Sequence, residues 1–274
     1  MKGFDRQDNL AIIIFSKNEI RNITSCIQSC ENFPNVFVID SSSTDGTQEA
    51  AKILNATVID FQWNGTYPRK KQWSVDYFVG FEWLLLLDAD ERLTTNFMDE
   101  VFTIISNAKL AAAKTVIEYS FLGKTLKYGH RVTKVNLVRR KECFFPDLES
   151  NLMGNGDIEM HYQPIIKGRT VKLKNRILHE DEDPLVSWIR RHVLYAELEA
   201  ELNLDLERRR KTLAQRSLGG KIFARFPLKP LLFFLYSYFI RLGFLDSKPG
   251  FLYSFYLSWY YSLIAAIESD KKRV

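Results

Sequence analysis

The chain has 274 residues, enough for one sizeable core and appendages, and its 38 Lys and Arg against 33 Asp and Glu leave a net charge of +5. That balance is too mild for a protein built to hold a nucleic acid, so no nucleic-acid partner is expected. Three cysteines, Cys26, Cys30 and Cys143, are an odd number without metal-ligand spacing, which points to buried or free thiols in a reducing compartment rather than to a disulfide framework. The first residues, MKGFDRQDNL, lack the basic, apolar and small-residue blocks of an export signal, so none is expected.

Residues 10–15, LAIIIF, form a short continuous apolar run rich in β-branched side chains, the pattern of a strand covered on both faces. Ile20, Ile23 and Ile27 then mark a helix, and residues 36–39, VFVI, a second buried strand ending on Asp40, so the chain opens as a βαβ unit. The polar loop DSSSTDGT follows, with Thr44 or Asp45 placed to cap a helix that begins near Gln48. Residues 57–60 give a third strand, 69–79 another helix, and WLLLL at 83–87 a fourth buried strand that delivers Asp88-Ala89-Asp90 at its carboxyl end. Beyond residue 115 the short segments 115–119 and 135–139 suit a mixed, partly antiparallel region. Residues 185–215 then return to helix, with Trp188, His192, Tyr195 and Leu198 at helical spacing.

Asn18 and Glu19, Asp40, and Asp88 with Asp90 each follow a separate strand, and in a parallel sheet they converge on one edge, where open α/β folds bind ligands. Two carboxylates one residue apart at a strand end can face a divalent cation that also takes diphosphate oxygens, which implies Mg²⁺ or Mn²⁺. The alternative is that one carboxylate caps the next turn and the other is solvated.

Together, LAIIIFSKNEIRNI, FVIDSSSTDGTQEAAK and WLLLLDADERLT resemble the family-2 glycosyltransferases of the GT-A fold over about residues 9–200, closest to the branch with lipopolysaccharide-core β-1,4-glucosyltransferases. The resemblance implies a Rossmann-like α/β mixed sheet flanked by helices and a donor that is a nucleotide-sugar, with UDP as the family's guess. It implies that Glu19 and Asp40 contact the nucleoside, that Lys70 and Lys71, with Arg69 nearby, hold the donor, and that Asp88 and Asp90 form the DXD motif, Asp90 ranking first as metal ligand. His179 is the candidate third ligand, since imidazole joins carboxylates on Mn²⁺. Arg191, in a segment like the family's RH..YA..EA helix together with Arg190, Tyr195 and Glu199, is a candidate for phosphate contact, or only packs and pairs. An inverting transfer also needs a carboxylate to take the acceptor proton. Asp157 and Glu159 in GNGDIEMHYQP lie two apart, on one face if extended, and Glu159 is preferred as the base, although the segment departs from the family's usual Glu-Asp pair. Gly129-His130-Arg131 and His161 stay unassigned.

Residues 231–245 are apolar except for Ser237 and Arg241, and 251–267 carry no charge, with Pro249-Gly250 expected to separate them. Each stretch is short for a membrane crossing and too aromatic for an exposed helix, so an amphipathic, interfacial helical hairpin is expected, with flanking Lys and Arg meeting anionic lipid. This gives a catalytic domain over 1–215 and a membrane-associating tail over 216–274, at the cytoplasmic face of the inner (plasma) membrane. The membrane surface would be met through residues 226–267. A polyprenyl-diphosphate-linked glycan is the expected acceptor, in the building of lipopolysaccharide, capsule or exopolysaccharide. The same composition also allows packing on the catalytic domain or a homodimer. The competing reading is a weak or inactive GT-A-fold scaffold recruiting partners. A nucleotidyltransferase would want a Gly-rich phosphate cradle that LAIIIFSKNE lacks.

Overall fold

The computed structural model describes residues 9–147, 163–215, 218–226 and 228–273. In chain order β1 (Leu10–Ser16), α1 (Ile23–Ser29), β2 (Val36–Asp40), α2 (Thr47–Ile53), β3 (Thr57–Asp60), α3 (Lys70–Tyr77) and β4 (Trp83–Asp88) make the Rossmann-like half. Next come β5 (Glu91–Leu93), α4 (Phe97–Ile105), β6 (Leu110–Phe121), β7 (Lys124–Thr125), β8 (Thr133–Arg139), β9 (Cys143–Phe144), β10 (Ile165–Ile166) and β11 (Arg169–His179). The helices α5 (Leu185–Leu204), α6 (Leu206–Gln215), α7 (Leu218–Arg225), α8 (Lys229–Leu235) and α9 (Ser247–Lys271) complete the chain.

The main sheet runs β3-β2-β1-β4-β8-β6-β11-β5, with β7 paired to β6. The first four strands are parallel, β8 is antiparallel to both β4 and β6, and β11 runs parallel to β6, the mixed sheet expected from the sequence. Both faces of the central strands are covered, which is why LAIIIF and WLLLL read as continuous apolar runs rather than alternating ones. Ile12, Ile14, Leu85 and Leu87 pack with Ile23 and Cys26 of α1 and with Phe97 and Val101 of α4. Ala11, Ile13, Leu84 and Leu86 pack with Val75 and Phe78 beside α3. Leu85→Ala, at a fully buried position, is expected to lower the unfolding free energy by about 2–5 kcal/mol in denaturant titration. Cys26, Cys30 and Cys143 are buried free thiols.

Three local expectations need correction. The cap of α2 falls on Gly46, held at φ 94°, while Asp45 takes the Thr47 N–H from one residue further out. The helical stretch expected over 185–215 is interrupted at Asp205, whose backbone is extended and whose side chain accepts the N–H groups of Glu207 and Arg208, so it caps α6. Pro249-Gly250 does not separate the apolar stretches. Both lie in the first turn of α9, where a missing proline N–H costs nothing, and the chain reverses instead through a π-helical turn (Tyr236–Ile240) and a 3-10 turn (Gly243–Asp246). Gly250 is required there by the close approach of α9 to the 3-10 turn, because a Cβ on it would stand 2.1 Å from the Gly243 carbonyl oxygen.

The tail is a hairpin that packs on the rest of the protein. Ser237 and Ser254 share a hydrogen bond across it at 2.9 Å, and Ser258 Oγ donates to the Pro230 carbonyl. Tyr253 packs on Phe121 and Leu126, and Tyr260 and Ile264 pack on Ala196 and Ala200 of α5. Buried Asp246 accepts the Tyr128 N–H at 2.8 Å and lies 3.8 Å from Lys124 Nζ, while the Gly129 N–H donates to the Arg241 carbonyl. Gly129-His130-Arg131 is thus a docking loop for the tail. The outer side of the hairpin leaves Leu231, Phe239, Ile240, Phe244 and Phe255 exposed. Among the described residues no helix is long and apolar enough to cross a membrane.

Candidate active site

Strand register assembles the site. Ser16 pairs with Asp40, Asp40 with Asp60, and Phe15 with Asp88, so the acids stand along one carboxyl edge, at the point where the strand order reverses between β1 and β4. The loops after β1 and β2 are laced together. Asn18 N donates to Ser43 Oγ, Thr44 N to Asn18 Oδ1, Glu19 N to Thr47 Oγ1 and Ile20 N to Asp45 Oδ2. Asp40 is the buried hub of this lacing. Its carboxylate accepts from Ser16 Oγ, from both the N–H and the Oγ of Ser43, and from Gln48 Nε2, all within 2.8 Å. Direct contact of Asp40 with a base requires Gln48 or a serine to give way. Lys70 is likewise turned inward, donating to Ser41 Oγ at 2.7 Å and to the Ser16 carbonyl at 3.3 Å.

At the end of β4 the chain turns through Asp88-Ala89-Asp90, and buried Arg92 steadies the turn by donating to the Ala89 and Glu91 carbonyls. The pairing of β11 with β5 sets His179 opposite Glu91, and its Nδ1 reaches Asp90 Oδ1 at 3.3 Å. That oxygen is buried, and apart from His179 no donor reaches it among the described residues. Burial disfavours the charged imidazole, but the carboxylates of Asp90, Glu91 and Asp88 outweigh it and push His179 up to about 9. Burial also raises Glu19 to about 8, with Asp90 adding to the effect against the Asn22 hydrogen bond and the charge of Arg191. Asp88 goes the other way. Burial opposes its charge, yet Lys134 and Lys71 hold it well below the usual carboxylate range.

Lys134 is the feature that sequence reasoning missed. From β8 its ammonium bridges Asp88 Oδ2 and Glu91 Oε1, the latter at 2.9 Å, while Glu91 Oε2 accepts the Asp88 N–H. Because Asp88 is drawn to this lysine, the expected ligand set of Asp88, Asp90 and His179 does not close on one point. Among the described residues no group of three or more His, Cys, Asp or Glu is arranged to hold a metal. The Asp90–His179 pair still fits a divalent cation, because a cation between them would displace the imidazole proton that now faces the buried carboxylate oxygen, and diphosphate oxygens can supply the remaining ligands. Tyr119, whose ring meets that of His179 at 5.0 Å, and Tyr195, pushed up to about 12 chiefly by burial, wall the carboxylates in.

Lys71 stays close enough for its charge to act on Asp88. Arg191 is near Glu19, but its guanidinium is paired with Asp181 and Asp183 of the loop before α5. That loop leans over the site, with Glu182 N donating to Asn22 Oδ1 and Arg21 3.8 Å from Asp183. Glu199 accepts from Tyr260 and so serves the tail. Asp157, Glu159 and His161 lie outside the described residues.

The shifts of Glu19 and His179 have the same sign in their effect on stability. Each is raised above its unfolded value, so the folded protein binds more protons than the unfolded chain, Glu19 between about 4.5 and 8 and His179 between about 6.5 and 9. In a chelator the melting temperature is therefore expected to fall by several degrees from pH 6 to 9, at about 2–4 °C per kcal/mol for a chain of this size. Glu19→Gln should flatten the lower part of that decline; a melting temperature that rises across the window would refute the assignment.

The chain matches the family model "Glycosyl transferase family 2" over residues 11–167, more than half its length. It belongs to the family-2 glycosyltransferases, as the three quoted motifs led one to expect. It is 36% identical over 99 residues to an uncharacterized glycosyltransferase of Rickettsia prowazekii, a match covering 36% of this chain and 33% of that relative. It is 28% identical over 137 residues to the lipopolysaccharide core biosynthesis glycosyltransferase LpsC of Rhizobium meliloti, covering 48% of each. The matches thus span a third to a half of these curated relatives. Among solved structures, glucosyl-3-phosphoglycerate synthase of Mycobacterium tuberculosis, crystallised with Mn²⁺, UDP and glucosyl-3-phosphoglycerate, superposes with TM-score 0.43 at 16% identity, over 74% of this chain and 84% of that one. TarS 1–349 of S. aureus superposes with TM-score 0.44 at 14% identity, over 97% and 91%.

Proposed function

We propose that this family-2 transferase moves a hexosyl group, with inversion, from a UDP-sugar to a glycan acceptor carried on a polyprenyl diphosphate, at the cytoplasmic face of the membrane. The observation that carries the reading is the buried oxygen of Asp90 that faces only the exchangeable proton of His179, at the sheet edge that also holds Glu19 and Asp88. A divalent cation held there by Asp90 and His179 would neutralise the leaving diphosphate. Lys71 offers a second positive charge to that diphosphate. In the transfer the acceptor hydroxyl oxygen bonds to the anomeric carbon as the bond to the diphosphate oxygen breaks, and the hydroxyl proton passes to a carboxylate, for which Glu159 and then Asp157 are the sequence candidates. Tyr119, Tyr195 and the loop of Asp181–Asp183 limit the entry of water.

The tail supports the membrane part of the reading, since its outer apolar side is far larger than a stray surface residue. Calorimetric titration with UDP and GDP, with and without Mn²⁺, tests the donor part. Micromolar binding of UDP that needs Mn²⁺ is expected. Absence of nucleotide binding under every condition would favour the scaffold reading.

A further inference from the structure

On the opposite side of the sheet from the carboxylates is a cavity of about 320 Å³ that the reaction does not use. Thr133 and Lys134 are consecutive on β8 and so face opposite sides. Lys134 goes to Asp88 and Glu91, Thr133 into the cavity. Thr133 pairs with Val116 and Val116 with Arg176, which places three strands side by side under the cavity floor. Lys172, Lys174 and Arg176, at alternate positions of β11, line one stretch of the cavity wall where the register with β6 shifts. Arg131 enters from the turn before β8 and Arg241 from the end of the tail's π-helical turn.

Five cations therefore line one small space. The carboxylate that meets them is Glu118, 2.7 Å from Arg176 and 3.6 Å from Arg131. Burial and the like charges of Arg176 and Arg241 depress Arg131, and its Nε is buried without an acceptor. Lys172 and Lys174 have no ion-pair partner among the described residues. Such an excess of like charge around a cavity is relieved by a bound anion, and multidentate cations of this kind favour phosphate. Arg241, which lines the cavity, is flanked in the chain by Ile240, 72% exposed, and Leu242, with Phe244 and Leu245 exposed just beyond, so the apolar ridge begins at the cavity's edge.

We propose that this cavity is a second anion site, separate from the donor site, that takes the phosphate or diphosphate group of a membrane amphiphile whose apolar chains lie along the exposed ridge. The proposal rests on the membrane reading of the tail for the source of the phosphate. The test is co-sedimentation of the full chain with phosphatidylcholine vesicles, with and without phosphatidylglycerol. The variants are Lys172→Gln/Lys174→Gln, which removes charge without breaking an ion pair, Arg131→Gln, and Ile240→Ser/Phe244→Ser. Titration with inorganic pyrophosphate and with UDP accompanies each.

The wild type is expected to prefer the anionic vesicles, each cation removed costing about fivefold in that preference. Pyrophosphate should bind, weaken in the same variants and compete with the anionic vesicles, while UDP binding stays unchanged. The ridge variant should lose vesicle binding of both kinds yet keep pyrophosphate. Vesicle preference indifferent to Lys172, Lys174 and Arg131 overturns the cavity as the lipid site. Pyrophosphate binding without any vesicle binding assigns the cavity to free phosphate, overturning both the amphiphile and the membrane reading. Loss of UDP binding in the cavity variants would show that the two sites are not separate.

Discussion

Asp90→Asn is expected to reduce sugar transfer by at least about 10²-fold while the protein remains folded. The substitution keeps the shape of the side chain and removes one negative charge from the buried oxygen that faces His179. If a cation is held there, its stabilisation of the departing diphosphate is worth several kcal/mol, and about 1.36 kcal/mol is a factor of ten in rate. Folding should survive because asparagine keeps the shape, His179 can become neutral once the Asp90 charge that holds its proton is gone, and the repulsion between Asp90 and Glu19 is relieved. The check is a transfer assay with UDP-sugars beside circular dichroism and Mn²⁺-dependent UDP binding. Turnover within a few-fold of wild type in a folded variant would sink the role given to Asp90.

The second large effect concerns stability. Lys134→Met should destabilise the protein by about 3–5 kcal/mol, because Glu91, 2% exposed, would keep its carboxylate in the interior without the ammonium that now compensates it. The double variant Lys134→Met/Glu91→Gln should recover most of that loss, since no buried charge then stands alone. Chemical denaturation of the three proteins measures both terms. A single variant as stable as wild type would mean that Glu91 simply takes up a proton, and a double variant no better than the single one would mean that Lys134 stabilises through Asp88. The double variant also frees Asp88 to approach Asp90 and His179, so its Mn²⁺ affinity should rise.

The Rossmann-like half was legible because its signals are local. Apolar runs of strand length, helix periodicity between them and acids at the strand ends define β1 to β4 and put Glu19, Asp88 and Asp90 on one edge. The antiparallel half was legible only as strands. Nothing in the sequence says that the strand read at 135–139 lies beside β4 or begins early enough to include Lys134, so that lysine drew no attention until the pairing of β8 placed it on Asp88. Asp205 was a missed signal of another kind, since an aspartate within a helical pattern is also what a cap looks like. Arg191 and Lys70 were identified by type and position, but whether a cation faces ligand or protein depends on the neighbouring acids and carbonyls, which come from other elements.

The sequence by itself determined the family, the parallel βαβ core, the carboxylate edge and the hairpin character of the aromatic tail, because each is written in residues close together in the chain. Only the tertiary structure decided that Lys134 ties up Asp88, that Asp40 is a hub of loop hydrogen bonds, that the tail lies against α5 and β6, and that five cations from three distant segments share one cavity. Most of those facts depend on contacts between segments dozens of residues apart. Charges interact through space, so the order of residues fixes which charges exist and the fold fixes which of them meet.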